Sequence, residues 1–87
     1  MPVREDSKRL TRPIYPMPDD IADALRARRL VTAYRARPAY QQNDYVGWIT
    51  RAKRAETRQR RIAQMLDELA AGNVYMHMAW RSASAAR

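Results

Sequence analysis

The chain has 87 residues, enough for one domain with a modest core, and 46% of them are apolar with 8% aromatic, which excludes wholesale disorder. With no cysteine and one histidine, His77, it excludes disulfides, thiolate metal sites and multi-histidine metal sites. Seventeen basic residues against nine acidic ones leave a net charge of +8, and all but Lys8 and Lys53 are arginine, whose planar fork suits phosphate or carboxylate partners.

Residues 1–17 read as a flexible, disordered N-terminal arm, since charges of both signs alternate there with Pro13, Pro16 and Pro18 and no periodicity is sustained. Ile14, Tyr15 and Met17 are available to dock that arm on the domain. The start "MPVREDSKRL" lacks the apolar stretch of a secretory signal, and no apolar run is long enough to span a membrane, so a cytoplasmic chain is expected.

A first helix opens at "PDDIADALRAR", with Pro18 and Asp19 supplying a fixed φ and a capping carboxylate. Asp20 and Asp23 favour its positive end, and Ile21, Ala24 and Leu25 share one face. Leu30 falls out of phase with that face, which predicts a break near Arg28 and Arg29. A second short helix, "LVTAYRAR", then buries Leu30, Ala33 and Tyr34, and Pro38 ends it. The third runs through "YQQNDYVGWITRAK" with a stripe of Tyr45, Trp48, Ile49 and Ala52, Val46 at its edge and Gly47 on the polar side. The fourth has Glu56 in its first turn, a stripe of Ile62, Met65, Leu66 and Leu69, and a stop at Gly72 and Asn73.

The expected architecture is all-α: a small bundle of three to four short helices over residues 18–80, followed by a mobile tail over 81–87. The apolar segment Val74, Tyr75, Met76, Met78 and Trp80 is expected to fold back on the bundle.

On a helical wheel Arg60 lies opposite the apolar arc of the fourth helix, where it can pair with Glu56. Arg58 falls inside the arc, one turn before Ile62, and Arg54 and Arg61 line its shoulder beside Met65. An arginine so placed either pairs with an acid such as Asp44 or with helix-end carbonyls, or keeps its head in water while its stem packs. The functional alternative is an anion- or partner-binding cluster of Lys53, Arg54, Arg58 and Arg61, presenting forks to a phosphate or carboxylate. His77, between two methionines, is expected to pack and not to bind metal. Tyr45 and Trp48 are expected in the core, and Tyr15 and Trp80 are freer to meet a partner. With no serine–histidine pair, carboxylate pair or glycine-rich phosphate loop in view, neither catalysis nor a cofactor is expected.

"YVGWITRAKRAETRQRRIAQMLDELAAG", residues 45–72, resembles the signature of the YdeI/OmpD-associated, or bacteriocin-protection, family of bacterial proteins. Trp48, Ile49, Ala52, Lys53, Glu56, Thr57, Arg58, Arg61, Ile62, Leu69 and Gly72 fit its pattern, and "MPDDIADAL" resembles the usual opening of the same domain. The resemblance implies an all-α domain and a link to resistance against bacteriocins or cationic antimicrobial peptides and to envelope stress, with an outer-membrane porin as a suggested partner. It implies no molecular activity. Two functions are therefore expected in competition: a non-enzymatic helical module that binds another protein, or a nonspecific binder of nucleic acid or another anionic surface through its arginine-rich helix face.

Overall fold

Proline sets the start of two helices in the computed structural model, which describes residues 14–81. Pro18 precedes α1 (Asp19–Ala27) at φ −69°, ψ 151°, and Pro38 precedes α3 (Ala39–Thr50) at φ −57°, ψ 151°. The ring fixes φ, and the extended ψ turns the chain into each helix from outside. Because Pro18 itself takes the capping position, Asp19 does not cap as expected. Both aspartates fall in the first turn, and Asp20 Oδ1 accepts from the Ile21 N–H at 2.9 Å.

The predicted break falls at Arg29, which has φ 58°. Leu30 N–H donates to the Leu25 carbonyl at 2.8 Å and Arg29 N–H to that of Arg26 at 3.1 Å, the paired bonds of a Schellman stop with arginine in the glycine position. Helix α2 (Val31–Ala36) is shorter than expected and buries Tyr34, with Leu30 and Ala33 half-buried. Helix α4 (Ala55–Ala71) ends as predicted at Gly72, whose φ of 84° favours a residue without Cβ.

The core lies where α1 and α3 pack on α4. Ile21, Tyr45, Ile49 and Met65 have no exposed surface, and Leu25, Val46, Ile62, Leu66 and Leu69 complete it. Each such side chain contributes roughly 1.5–3 kcal/mol relative to exposure. The expected α3 stripe is rotated. The helix stops at Thr50, Trp48 is only half-buried, and Gly47 is buried, not on a polar side. Gly47 sits under the Tyr15 ring, so close that a Cβ there would meet Tyr15 Cε2 at 2.6 Å. Tyr15 N–H also donates to Asn43 Oδ1 at 2.8 Å. The end of the arm is thus strapped over α3 through Tyr15, while Ile14 remains 82% exposed. The rest of the expected arm, residues 1–13, and the tail residues 82–87 lie outside the described residues.

The fold is all-α as expected, with one small addition after α4. The apolar segment does fold back, as a hairpin of β1 (Val74–Tyr75) and β2 (Met78–Ala79), antiparallel with Val74 opposite Ala79 and Tyr75 opposite Met78. Its loop residues Met76 and His77 have φ 51° and 65°, the positive values that a type I′ turn requires and that Asn-Gly usually supplies. Tyr75 packs edge-on against both Tyr45 and Tyr40, with ring centroids 5.5 and 6.1 Å apart.

Candidate functional site

The arginine cluster read from the wheel does not form one fork. Lys53 and Arg54 are exposed, Arg54 standing at the N-cap position of α4. Arg58 turns toward α1. Its Nε donates to Asp20 Oδ2 at 2.7 Å and its Nη2 to Asp20 Oδ1 at 3.0 Å, a bidentate pair with side chains 27% and 41% exposed. The partner is therefore Asp20 and not Asp44, whose Oδ2 instead accepts from the Tyr75 hydroxyl at 2.7 Å. The Arg58 hydrogen bond holds the Asp20 carboxyl below its usual range, against a smaller upward push from burial.

Arg61 turns the other way, toward α3. Its Nη1 donates to the Trp48 carbonyl at 2.6 Å, and its guanidinium carbon lies 5.3 Å from the centre of the Trp48 ring. This cation–π and carbonyl clamp fixes the guanidinium plane while leaving the side chain half-exposed. Arg58 and Arg61 thus brace α4 against different neighbours.

The most densely bonded polar residues are ones the sequence reading did not select. Arg37 and Glu68 are 5% and 4% exposed, and Gln41 is fully buried. Arg37 Nη1 donates to Gln41 Oε1 at 3.0 Å, and its Nη2 donates to the Glu68 and Val74 carbonyls at 3.0 and 2.9 Å. Trp80 lies against the guanidinium, with the Arg37 carbon 4.5 Å from the ring centre. Trp80 is thereby committed within the fold, as is Tyr15, and neither has the freedom expected for partner contact.

Glu68 gathers four donors. Tyr45 hydroxyl and Met76 N–H donate to Oε1 at 2.5 and 2.8 Å, and Gln64 Nε2 and His77 N–H donate to Oε2 at 3.0 and 2.8 Å. Burial pushes this carboxyl up, but the four bonds together outweigh it and hold the group below its usual range, so it is anionic at neutral pH. Burial and the hydrogen bond to Glu68 push the Tyr45 hydroxyl strongly upward, so it stays protonated. Both loop N–H groups of the hairpin end on the carboxylate, which offsets the strain of two positive φ values. The His77 imidazole, expected to pack, points outward with 79% of its side chain exposed and Nδ1 4.0 Å from Glu68 Oε2. The tight turn places its backbone, not its ring, against the core. Among the described residues no buried side-chain nitrogen or oxygen lacks a hydrogen bond, and no group of three His, Cys, Asp or Glu could hold a metal ion.

A signal for these residues did exist. Glu68 follows Arg61 by seven positions and so shares its shoulder of α4, and Gln41 precedes Tyr45 by four on the α3 stripe. Arg37 lies between two helices, where periodicity says nothing.

Beside the Arg61–Trp48 clamp runs an open groove of about 670 Å³. Its lining comes from α4, Thr57, Arg61, Gln64, Glu68 and Ala71 among it, together with Trp48, Val74 and His77.

Four short helices around a saturated polar centre, closed by a small hairpin, define a compact helical domain with an exposed basic end. The chain belongs to the bacteriocin-protection, YdeI or OmpD-associated (OmdA) family, whose profile matches residues 15–72. That span runs from the Tyr15 strap to the Gly72 helix stop. No curated protein and no solved structure shows significant similarity to the chain. No helix among the described residues is long and apolar enough to cross a membrane.

Proposed function

We propose that this chain is a non-enzymatic, cytoplasmic helical module that binds another protein in a response protecting the cell against bacteriocins or cationic antimicrobial peptides. The observation that carries the reading is the family match, which includes all four helices. Two features support it. Glu68 and Arg37 spend their hydrogen-bonding capacity inside the fold, which suits a rigid platform better than a poised acid–base pair. Lys53, Arg54 and Arg60 are exposed near the start of α4, where a partner can reach them.

Deleting the gene from its native host is expected to sensitise the cells to a bacteriocin and to a cationic peptide by about tenfold or more in survival. Wild-type complementation should restore resistance, and a Lys53→Ala, Arg54→Ala, Arg61→Gln variant should restore it poorly. Equal survival of deletion and parent strains would remove the basis for this reading.

One observation favours a second reading, in which the chain binds nucleic acid without sequence preference. Arg51, Lys53 and Arg54 are all exposed at the junction of α3 and α4, on a chain of net charge +8. Binding to a random duplex through three such cations would weaken with salt, with log K falling at a slope of about −3 against log salt. Absent or salt-insensitive binding would exclude it.

A further inference from the structure

Among the described residues every buried hydrophobic side chain comes from the four helices, from Ile21 to Leu69. The hairpin after them adds none. Val74, Tyr75, Met76 and Trp80 are half-buried, while His77, Met78 and Ala79 are exposed. Its strands are two residues each, and a hairpin of that size is marginal by itself in water. Met76 at φ 51° and His77 at φ 65° add strain, because the turn favours Asn-Gly there.

Apart from Tyr75, which packs on Tyr45 and Tyr40, discrete polar bonds tie the hairpin to the helical domain. Met76 and His77 N–H groups each donate to a different oxygen of Glu68 at 2.8 Å. Arg37 Nη2 donates to the Val74 carbonyl at 2.9 Å, and the Tyr75 hydroxyl to Asp44 Oδ2 at 2.7 Å. A core that is complete without an element, and an element secured by a few bonds, are the conditions for local opening. Gly72, with φ 84° and open space where a Cβ would lie, supplies a hinge before it.

We propose that the hairpin is a latch that opens on intact helices, hinged at Gly72 and Asn73, with the Glu68 carboxylate setting how often it opens. Opening takes the Val74 carbonyl and the Trp80 ring from Arg37, and two of four donors from Glu68. A guanidinium and a carboxylate that the closed fold buries then meet solvent. Tyr45 and Gln64 stay bonded to Glu68 throughout, so the carboxylate remains in position to take the turn back. The latch belongs to the fold whether or not the chain acts through a protein partner.

The test is native-state amide exchange on the full chain, followed by NMR in urea concentrations below the unfolding transition. Met76 and His77 amides should exchange with little dependence on urea, and at least about tenfold faster than the Leu66 amide in α4. Leu66 exchange should rise with urea as global unfolding does. Glu68→Gln should lower protection at Met76 and His77 about tenfold, because the turn loses a charged acceptor. Tyr45→Phe removes a bond present in both open and closed forms, so it should leave those two amides within about twofold while Leu66 loses protection.

A Met76→Asn, His77→Gly double variant, which relieves the turn, should raise protection at positions 76 and 77 about tenfold. It keeps the proposal testable even if Glu68→Gln fails to fold. Hairpin amides that share the protection and urea dependence of Leu66 would overturn the latch. So would a double variant whose turn exchanges no more slowly than the wild type. Unchanged hairpin protection in a folded Glu68→Gln chain would overturn the role given to the carboxylate.

Discussion

The Tyr45 hydroxyl donates to Glu68 Oε1 at 2.5 Å, joining α3 to α4 at the point where the hairpin turn also lands on the same carboxylate. Removing either partner leaves buried polar groups unsatisfied. Tyr45→Phe, which takes one of four donors from the anion, is expected to cost about 1–3 kcal/mol. Glu68→Ala strands the Tyr45 hydroxyl and both loop N–H groups and is expected to cost about 3 kcal/mol or more. Urea denaturation followed by circular dichroism measures both. Glu56→Ala, on an exposed residue, provides the comparison and should stay within about 0.5 kcal/mol.

The same carboxylate makes stability fall in acid. Glu68 and Asp20 both have folded-state pKa values below their usual ones, Asp20 through its Arg58 hydrogen bond and Glu68 through its four donors working against burial. The stabilisation they contribute is complete above the unfolded-state range of about pH 4 and is lost as pH falls below it through the folded values. Thermal melts between neutral pH and pH 3 should show the loss, and Glu68→Gln should flatten most of it, since Asp20 is more exposed. An unchanged acid limb in Glu68→Gln would refute the assignment.

Gly47 is kept for Tyr15. A glycine inside a helix costs about 1 kcal/mol relative to alanine, yet a Cβ at this position would strike the Tyr15 ring. Gly47→Ala should therefore expel the ring, visible in the Tyr15 aromatic NMR signals, with the helix gain cancelled by lost packing. In a Tyr15→Ala background the same change should stabilise by about 1 kcal/mol. Additivity of the two substitutions would contradict a direct contact.

Among the described residues three side chains occupy backbone positions that glycine would fill at lower cost, Arg29 at φ 58°, Met76 at φ 51° and His77 at φ 65°, and of these Arg29 and His77 are exposed. Arg29→Gly and His77→Gly are each expected to stabilise by about 1 kcal/mol, read as a raised melting temperature. Destabilisation by His77→Gly would mean that the exposed imidazole contributes more than its conformation costs.

Arg58 and Asp20 form a bidentate pair on an open surface, so their coupling is expected to be small. A double-mutant cycle with Asp20→Ala and Arg58→Ala should give less than about 1 kcal/mol, and less again in high salt. Asp44→Ala should show no coupling to Arg58, because Asp44 bonds Tyr75.

The four helices were legible because their signals are local. Proline fixes φ at a start, Gly72 accepts positive φ at a stop, and a 3.6-residue period marks the buried face. The stripe Ile62, Met65, Leu66 and Leu69 is buried as that period requires. The period misled at α3, where it set Gly47 toward water. That face is buried by Tyr15, a residue 32 positions earlier, and a wheel drawn for one helix contains no such neighbour.

Residue order alone determined the helical class, the break at Arg29, the stop at Gly72 and the family to which residues 15–72 belong. Tertiary structure decided the roles of the charges. Arg58 went to Asp20, 38 positions away, and Arg37 went to carbonyls 31 and 37 positions away. Glu68 became the buried anchor of a hairpin that periodicity does not reveal. The reason is physical: hydrophobic burial follows a short repeat that each segment carries within itself. A charged group in the interior is tolerated only beside partners that folding brings from elsewhere in the chain.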